Sequence, residues 1–351
     1  MENYLQGRGS QINPANKYLS QSYVEEHIEG LDEPLLSDEK TQLFYESPKT
    51  IVNKVESPDI NGYSMNPYQG CEHGCIYCYA RNAHQYWGFS AGLDFERKIV
   101  VKQNAPELLE KHFLNKNWKP APIMLSGNTD CYQPIERKLK ITRRILEVLL
   151  KYKHPVSIIT KNQLVLRDVD ILSELAKYNL VHVMVTITSL QEELRLEMEP
   201  RTVTYKNRLK IINGLAKAGV PVGVMTAPII PGLNSMEIPS IIEEAAKNGA
   251  RTAGYTIVRL NGVIGDIFHD WLYKNFPDRA DKVWNQICDC HGGQVNDSRW
   301  FTRTRGEGKI AESIKQIFKM AVKKYMKGKT DFEFNLNVFN KEPEQFDLFQ
   351  Q

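Results

Sequence analysis

The chain has 351 residues, 42% hydrophobic and 25% charged, an ordinary globular composition with enough apolar residues for a large core. No apolar run reaches the roughly 18 residues that span a bilayer, and the opening MENYLQGRGSQINPANKY lacks the basic-then-apolar pattern of a signal peptide, so a cytoplasmic protein without membrane partners is expected. A net charge of +3 and a pI of about 8.3 fall short of the values above ~9 that mark dedicated nucleic-acid-binding domains, which leaves nucleic acid neither implied nor excluded.

Residues 1–60 are polar, rich in Glu, Asn and Ser and weakly periodic; SPKTIVNKV offers one short strand, and the whole reads as an N-terminal extension wrapping a core. From residue 61 to about 260, apolar runs alternate with amphipathic stretches, the signature of βα units on a mainly parallel sheet. Strands are predicted at Gly62–Asn66, Pro122–Ser126, Val156–Thr160, Val181–Ile187, Pro221–Ala227 and Thr252–Val258. Helices are predicted at Asn82–Tyr86, Ala105–Leu114, Thr142–Tyr152, Val169–Tyr178, Asn207–Ala218 and Glu237–Asn248. The stops KAGVP and KNGA place Gly219 and Gly249 where a left-handed cap is needed. Six units of about 33 residues each come close to the spacing of an eight-unit TIM-type barrel of roughly 250 residues, so the expected fold is α/β, a partial (β/α)6 barrel. Residues 261–351 read as a C-terminal region with helices at Asp281–Cys288 and Lys309–Met326, and an alternating DFEFNLNVF tail suited to a closing strand.

Three of the six cysteines lie in eight residues, CEHGCIYC, spaced C-x3-C-x2-C at Cys71, Cys75 and Cys78. In a chain without a secretory signal this clustering argues for metal or redox chemistry in a reducing compartment rather than a disulfide framework. A structural zinc site takes four ligands, typically from two paired motifs, and here the second pair is missing. A [4Fe-4S] cluster has four irons that each want a ligand, so three thiolates leave one iron open for a substrate. A zinc site borrowing His73 is the competing reading. At the C-terminal ends of the predicted strands, where barrels of this kind keep their active sites, stand Ser126, Asn128, Thr129, Asp130, Thr160, Lys161, Thr186, Thr188, Thr226 and Arg259. Polar types seldom occupy buried strand ends without partners.

The cysteine spacing, with Tyr77 before the third cysteine, resembles the motif of the radical S-adenosylmethionine (radical SAM) superfamily. The segments ITKNQLVLRDVDIL, VTITSL, MEPRTVTYKNRLKIINGLAKAGVPVGVMTAPI and RTRGEGK are similar to the spore photoproduct lyase group within it. The stretches NPYQGCEHGCIYCYAR, SAGLDFE and NTDCYQPIE look closest to an uncharacterised bacterial branch. The resemblance covers most of residues 62–309. It implies a partial six-unit barrel, a [4Fe-4S] cluster on Cys71, Cys75 and Cys78, and S-adenosylmethionine chelated by the open iron. It further implies an electron donor such as flavodoxin or ferredoxin and reductive cleavage to a 5'-deoxyadenosyl radical. That radical takes hydrogen from a substrate the sequence does not identify, with a nucleic-acid lesion among the classes kept open.

At matching positions, Asn128, Thr129 and Asp130 are expected at the methionine amino end, Lys161 and Thr186 at the carboxylate and ribose, and Tyr77 near the adenine. Arg201 is a second candidate cation. The group's hydrogen-donating cysteine corresponds to a place near Gly127, so that role is not copied; Cys131, after the Asp, is the candidate catalytic thiol in its stead. The alternative function is a zinc-stabilised nucleic-acid-binding protein without redox chemistry. Cys288, Cys290 and His291 read as helix-end residues, and SRWFTRTRGEGK reads either as a basic loop closing the barrel or as a site for phosphate contact and base stacking.

Overall fold

The computed structural model describes residues 5, 7–18, 41–59, 62–328 and 332–342. Its strands are β1 (Gln42–Glu46), β2 (Val52–Val55), β3 (Gly62–Met65), β4 (Tyr68–Gln69), β5 (Lys98–Lys102), β6 (Ile123–Leu125), β7 (Val156–Thr160), β8 (Val181–Thr186), β9 (Val222–Ile229) and β10 (Thr252–Ile257). The larger sheet runs β2-β3-β6-β7-β8-β9-β10. From β3 to β10 all neighbours are parallel and follow chain order, whereas β2 pairs antiparallel with β3 at the edge. Helices Ala105–Phe113, Ile141–Lys151, Val169–Lys177, Tyr205–Lys217 and Ile238–Lys247 connect successive strands. Among the described residues no ladder joins β10 to β3 or β2, so the barrel stays open. This is the α/β partial barrel expected from the unit count.

The connecting helices form because apolar residues recur at helical spacing. Ile141, Ile145, Leu146 and Leu149 are buried on one face, with Arg143, Arg144 and Glu147 on the other. Thr204 caps the Tyr205 helix by accepting from the Asn207 amide at 3.3 Å, and Gly219 and Gly249 stop two helices at φ +77° and +106°. In β8, Val181, Val183 and Val185 are buried in the main core.

A second, three-stranded sheet, β1-β5-β4, stands apart from the barrel sheet and went unread in the sequence. β5 pairs parallel with β1 and antiparallel with β4, and so ties QLFYE near residue 42 to the chain just before the cysteines.

One expectation for the C-terminal region changes. Residues 332–340 form no strand; Phe339 packs on Phe113 and His154, and Asn340 N donates to Tyr152 O. The open edge is instead bridged by the segment around Thr304. Ile257 N at the end of β10 donates to Thr304 O at 2.9 Å, and Arg303 grips Asp59, beyond β2, at 2.6 and 2.7 Å. Helix Ile264–Asn275 was also unread, although Ile264, Ile267, Phe268, Trp271 and Leu272 carry a clean helical spacing. With helix Ala280–Asp289 it buries a second apolar core against Cys75, Ile76 and Tyr77.

Candidate active site around the three-cysteine loop

The two residues of β4 deliver the chain into the loop Gly70–Cys78. Gly70 sits at φ +82°, where an added Cβ would stand 2.9 Å from Lys98 O, so only glycine fits both the turn and the neighbouring strand. Cys71 N donates to Phe95 O at 2.8 Å and Ile76 N to Met198 O at 3.0 Å, pinning the loop at both ends. All three thiols are free; Cys71 and Cys75 are buried and Cys78 is half-buried. Burial pushes the Cys71 thiol far up, the Cys75 thiol up to about 12 and the Cys78 thiol up. Thiolates in this setting need a cation beside them, and a thiolate-bound iron supplies one. Among the described residues no three His, Cys, Asp or Glu side chains converge as a single-ion site requires; the thiols are instead distributed along the loop.

Buried polar residues fix the loop from three sides. The guanidinium of Arg81, wholly buried, donates to Cys75 O at 3.1 Å, to the carbonyls of Ala91 and Gly92, and to Glu96 at 2.6 Å. Gln133 donates to Gly70 O at 3.1 Å and accepts from Glu72 N at 3.0 Å. The third brace is the Tyr77 hydroxyl, which donates to Glu199, a carboxylate that also accepts from Thr188 at 2.8 Å and pairs with Arg208. Arg208 in turn donates to Thr186 O at 3.1 Å, linking the loop to the C-terminal end of β8. Burial opposes ionisation of Glu199, but the charges of Arg208 and Lys161 and the Tyr77 hydrogen bond prevail and hold its pKa down to about 2.

The predicted mouth residues fall into two sets. Asp130 lies beside the loop: it accepts from Thr160 Oγ1 at 2.8 Å, Lys161 N at 2.9 Å and Tyr132 N at 2.9 Å, and faces His73 Nδ1 at 3.4 Å. Lys161 Nζ stands 6.0 Å over the Tyr77 ring; burial works against its charge, yet Cys75 and Glu199 leave its pKa raised. Arg201 reaches the loop through its amide, which donates to His73 O at 3.3 Å, and its guanidinium lies 3.9 Å from Glu72. Thr186 is buried at the end of β8.

The other set is occupied internally. Asn128 donates to Gln69 at 3.0 Å, Thr129 Oγ1 donates to Tyr68 O at 2.7 Å, and Cys131 is 0% exposed within the main core. His73 has both ring nitrogens engaged, Nδ1 facing Asp130 and Nε2 facing Asn162 Nδ2 at 3.3 Å, and burial lowers its pKa.

Sequence reasoning missed Arg81, Glu96, Gln133, Glu199 and Arg208. One signal is present: Glu199 and Arg201 share the EPR stretch, where the acid is the buried partner and the cation the half-exposed one. Gln133 sits in NTDCYQPIE, but nothing in its position announces that its amide faces Gly70, 63 residues away in the chain.

The model of the Radical SAM superfamily matches residues 65–245, which contain the cysteine loop and strands β6 to β9. The chain belongs to the radical SAM superfamily. This radical SAM enzyme is 32% identical over 238 residues to an uncharacterized protein of Mycobacterium tuberculosis, covering 67% of this chain and 70% of that one. It is 30% identical over 248 residues to an uncharacterized protein of Methanocaldococcus jannaschii, covering 70% and 88%. Among solved structures, spore photoproduct lyase complexed with dinucleoside spore photoproduct superposes with a TM-score of 0.59 at 15% identity, over 84% of this chain and 82% of that one. At that identity the likeness shows the fold. The family implies an iron–sulfur cluster and S-adenosylmethionine as cofactors. No helix among the described residues is long and apolar enough to cross a membrane.

Proposed function

We propose that Cys71, Cys75 and Cys78 hold three irons of a [4Fe-4S] cluster and that the fourth iron takes S-adenosylmethionine, for hydrogen abstraction from a substrate not yet identified. The observation that carries this reading is the set of three free thiols on one loop, each raised by burial, with His73 turned toward Asp130 and Asn162 and so unsuited to be a fourth ligand. When bound, the pair supplies one-electron reductive cleavage of S-adenosylmethionine to a 5'-deoxyadenosyl radical, the electron coming from a flavodoxin- or ferredoxin-type donor.

The chain's own residues bind and orient. Lys161, charged and close to Tyr77, suits the methionine carboxylate, with Thr186 near the ribose and Tyr77 near the adenine. Asp130, with Asn128 and Thr129 beside it, suits the amino end, and Arg201 stands as a further cation. The burial of Cys131 in the core speaks against a hydrogen-donor role and supports a packing one. The core formed by Ile264, Phe268 and Trp271 against Cys75 and Tyr77 keeps water from the loop, as radical chemistry requires.

A nucleic-acid lesion is favoured as substrate class by exposed rings at Tyr79, Trp300 and Phe301. The basic character of the SRWFTRTRGEGK stretch adds less than its composition suggests, because Arg299 pairs with Asp297 and Glu307 and Arg303 with Asp59.

Anaerobic reconstitution with iron and sulfide is expected to give a brown protein, and dithionite with S-adenosylmethionine to yield 5'-deoxyadenosine; both are lost in Cys71→Ala. A colourless protein carrying stoichiometric zinc overturns the reading.

A further inference from the structure

Residues 7–16 run along the cysteine loop at Gly74 and the segment 85–96 that follows it, and are fastened there mainly through main-chain groups. Gly9 N and Ser10 N both donate to the buried Glu96 carboxylate, at 3.2 and 2.8 Å, and the Arg8 guanidinium donates to Glu96 O at 3.3 Å. Gly9 lies flat on the loop: a Cβ there would stand 1.7 Å from Gly74 O, nearer than any real contact, so the two backbones are in direct apposition. A second apposition follows at Gly92, whose added Cβ would stand 2.1 Å from Ile12 O. Further along, Ser90 Oγ donates to Pro14 O at 2.6 Å and Asn16 Nδ2 to Gln85 O at 2.8 Å. The Ile12 side chain joins the apolar cluster that contains Cys75, Ile76 and Tyr77.

Glu96 is what makes these contacts more than a surface attachment. It is 0% exposed and carries two strap amides together with Arg81, which itself donates to Cys75 O. The N-terminal segment is thereby linked through two side chains to the backbone of one of the three cysteines.

We propose that residues 7–16 are a strap that positions the cysteine loop and seals the cluster held there from solvent and dioxygen, with Gly9, Gly92 and Glu96 as its positioning residues. This rests on the cluster reading above. Glycine is required at positions 9 and 92 because the strap must lie closer to its bed than any side chain allows. Sealing follows from where the strap lies: Gly9 rests on Gly74, next to Cys75, and Ile12 extends the apolar cluster that packs against Cys75 and Tyr77.

The test uses the full chain with Gly9→Ala and, from the opposite partner, Gly92→Ala. Trypsin reads strap attachment without any cluster: in the apo wild type Arg8, buried, is protected while exposed Lys17 is cut, and in either variant cleavage after Arg8 accelerates several-fold. After anaerobic reconstitution, the visible absorption of both variants is expected to bleach several-fold faster in air than that of the wild type, from a similar starting iron content. Faster cleavage with unchanged bleaching overturns the sealing role, and unchanged cleavage overturns the strap itself. A wild type that takes up no iron refutes the cluster reading instead, and leaves the cleavage result as a test of attachment alone.

Discussion

Glu199→Gln is the substitution whose cost the structure lets one calculate by two routes. Glu199 is 0% exposed and accepts from Tyr77, Thr188 and Arg208. Its pKa falls from an ordinary 4.5 to about 2, which at ~1.4 kcal/mol per unit corresponds to about 3 kcal/mol of folded-state preference for the carboxylate. Independently, removing one member of a buried ion pair strands the other charge, and such losses run ~3–5 kcal/mol. The two routes agree, and against a typical domain stability of ~5–15 kcal/mol the change is large. Urea unfolding of the apo protein at pH 7 is the assay, with a midpoint shift at unchanged slope expected. The sign with pH follows from the depressed value: the contribution is fully present above pH 4.5 and is lost as pH falls toward 2, so the gap between wild type and variant narrows across that window. Adding Arg208→Met removes the stranded guanidinium, and the double variant should cost less than the sum of the two single ones. A loss below about 1 kcal/mol, or a gap that does not narrow in acid, refutes the assignment of this pair as a charged brace.

Three further outcomes are expected. His73→Ala should retain iron at the wild-type ratio, since neither ring nitrogen faces away from its protein partners; loss of iron would make it a ligand. Gln133→Leu leaves Gly70 O and Glu72 N without their partner, at ~1–3 kcal/mol per unsatisfied group, and should lower the apo unfolding midpoint and speed iron loss to a chelator together; a stable variant with fast iron loss would point to a more direct role for Gln133. Asp59→Ala takes from Arg303 its carboxylate partner and leaves it the Ser57 hydroxyl, so tryptic cleavage after Arg303 should rise sharply, and unchanged cleavage would show that Ser57 and the Ile257–Thr304 hydrogen bond hold the bridge without the ion pair.

Most barrel strands were legible because each is a short run, in β7 and β8 rich in β-branched residues, between helices whose apolar spacing is unambiguous. VSIIT and TAGYTI were placed nearly to the residue, and Gly219 and Gly249 had no other use than a left-handed stop. The second sheet was not legible, because β4 has two residues and β5 only makes sense beside β1, more than fifty positions earlier. DFEFNLNVF alternates like a strand, yet its aromatic rings are spent on packing against Phe113, His154 and His182. At the candidate site the three-cysteine motif was legible from spacing alone. Their supports were not: a buried Glu–Arg pair nine positions apart, or a glutamine facing a carbonyl 63 positions away, leaves no local pattern.

The same contrast explains why the chemistry is readable and the substrate is not. The groups expected to touch S-adenosylmethionine are held in place by bonds inside the chain: Asp130 by Thr160 and the Lys161 and Tyr132 amides, Tyr77 by Glu199, and the loop backbone by Gln133 and Arg81. A zinc finger draws its folding energy from its metal, whereas this loop owes its shape to three side-chain anchors. Positions that meet a second molecule carry no such internal bonds and so cast no shadow on the rest of the sequence. Arg259, half-buried after β10 with its pKa lowered by burial and by neighbouring Arg303, is a candidate for such a position, whereas Tyr79, directly after Cys78 and half exposed, is tied by its hydroxyl to Gly127 O. A residue of that kind is set by what it meets and not by the fold, so the sequence reveals the family's chemistry and leaves the substrate open.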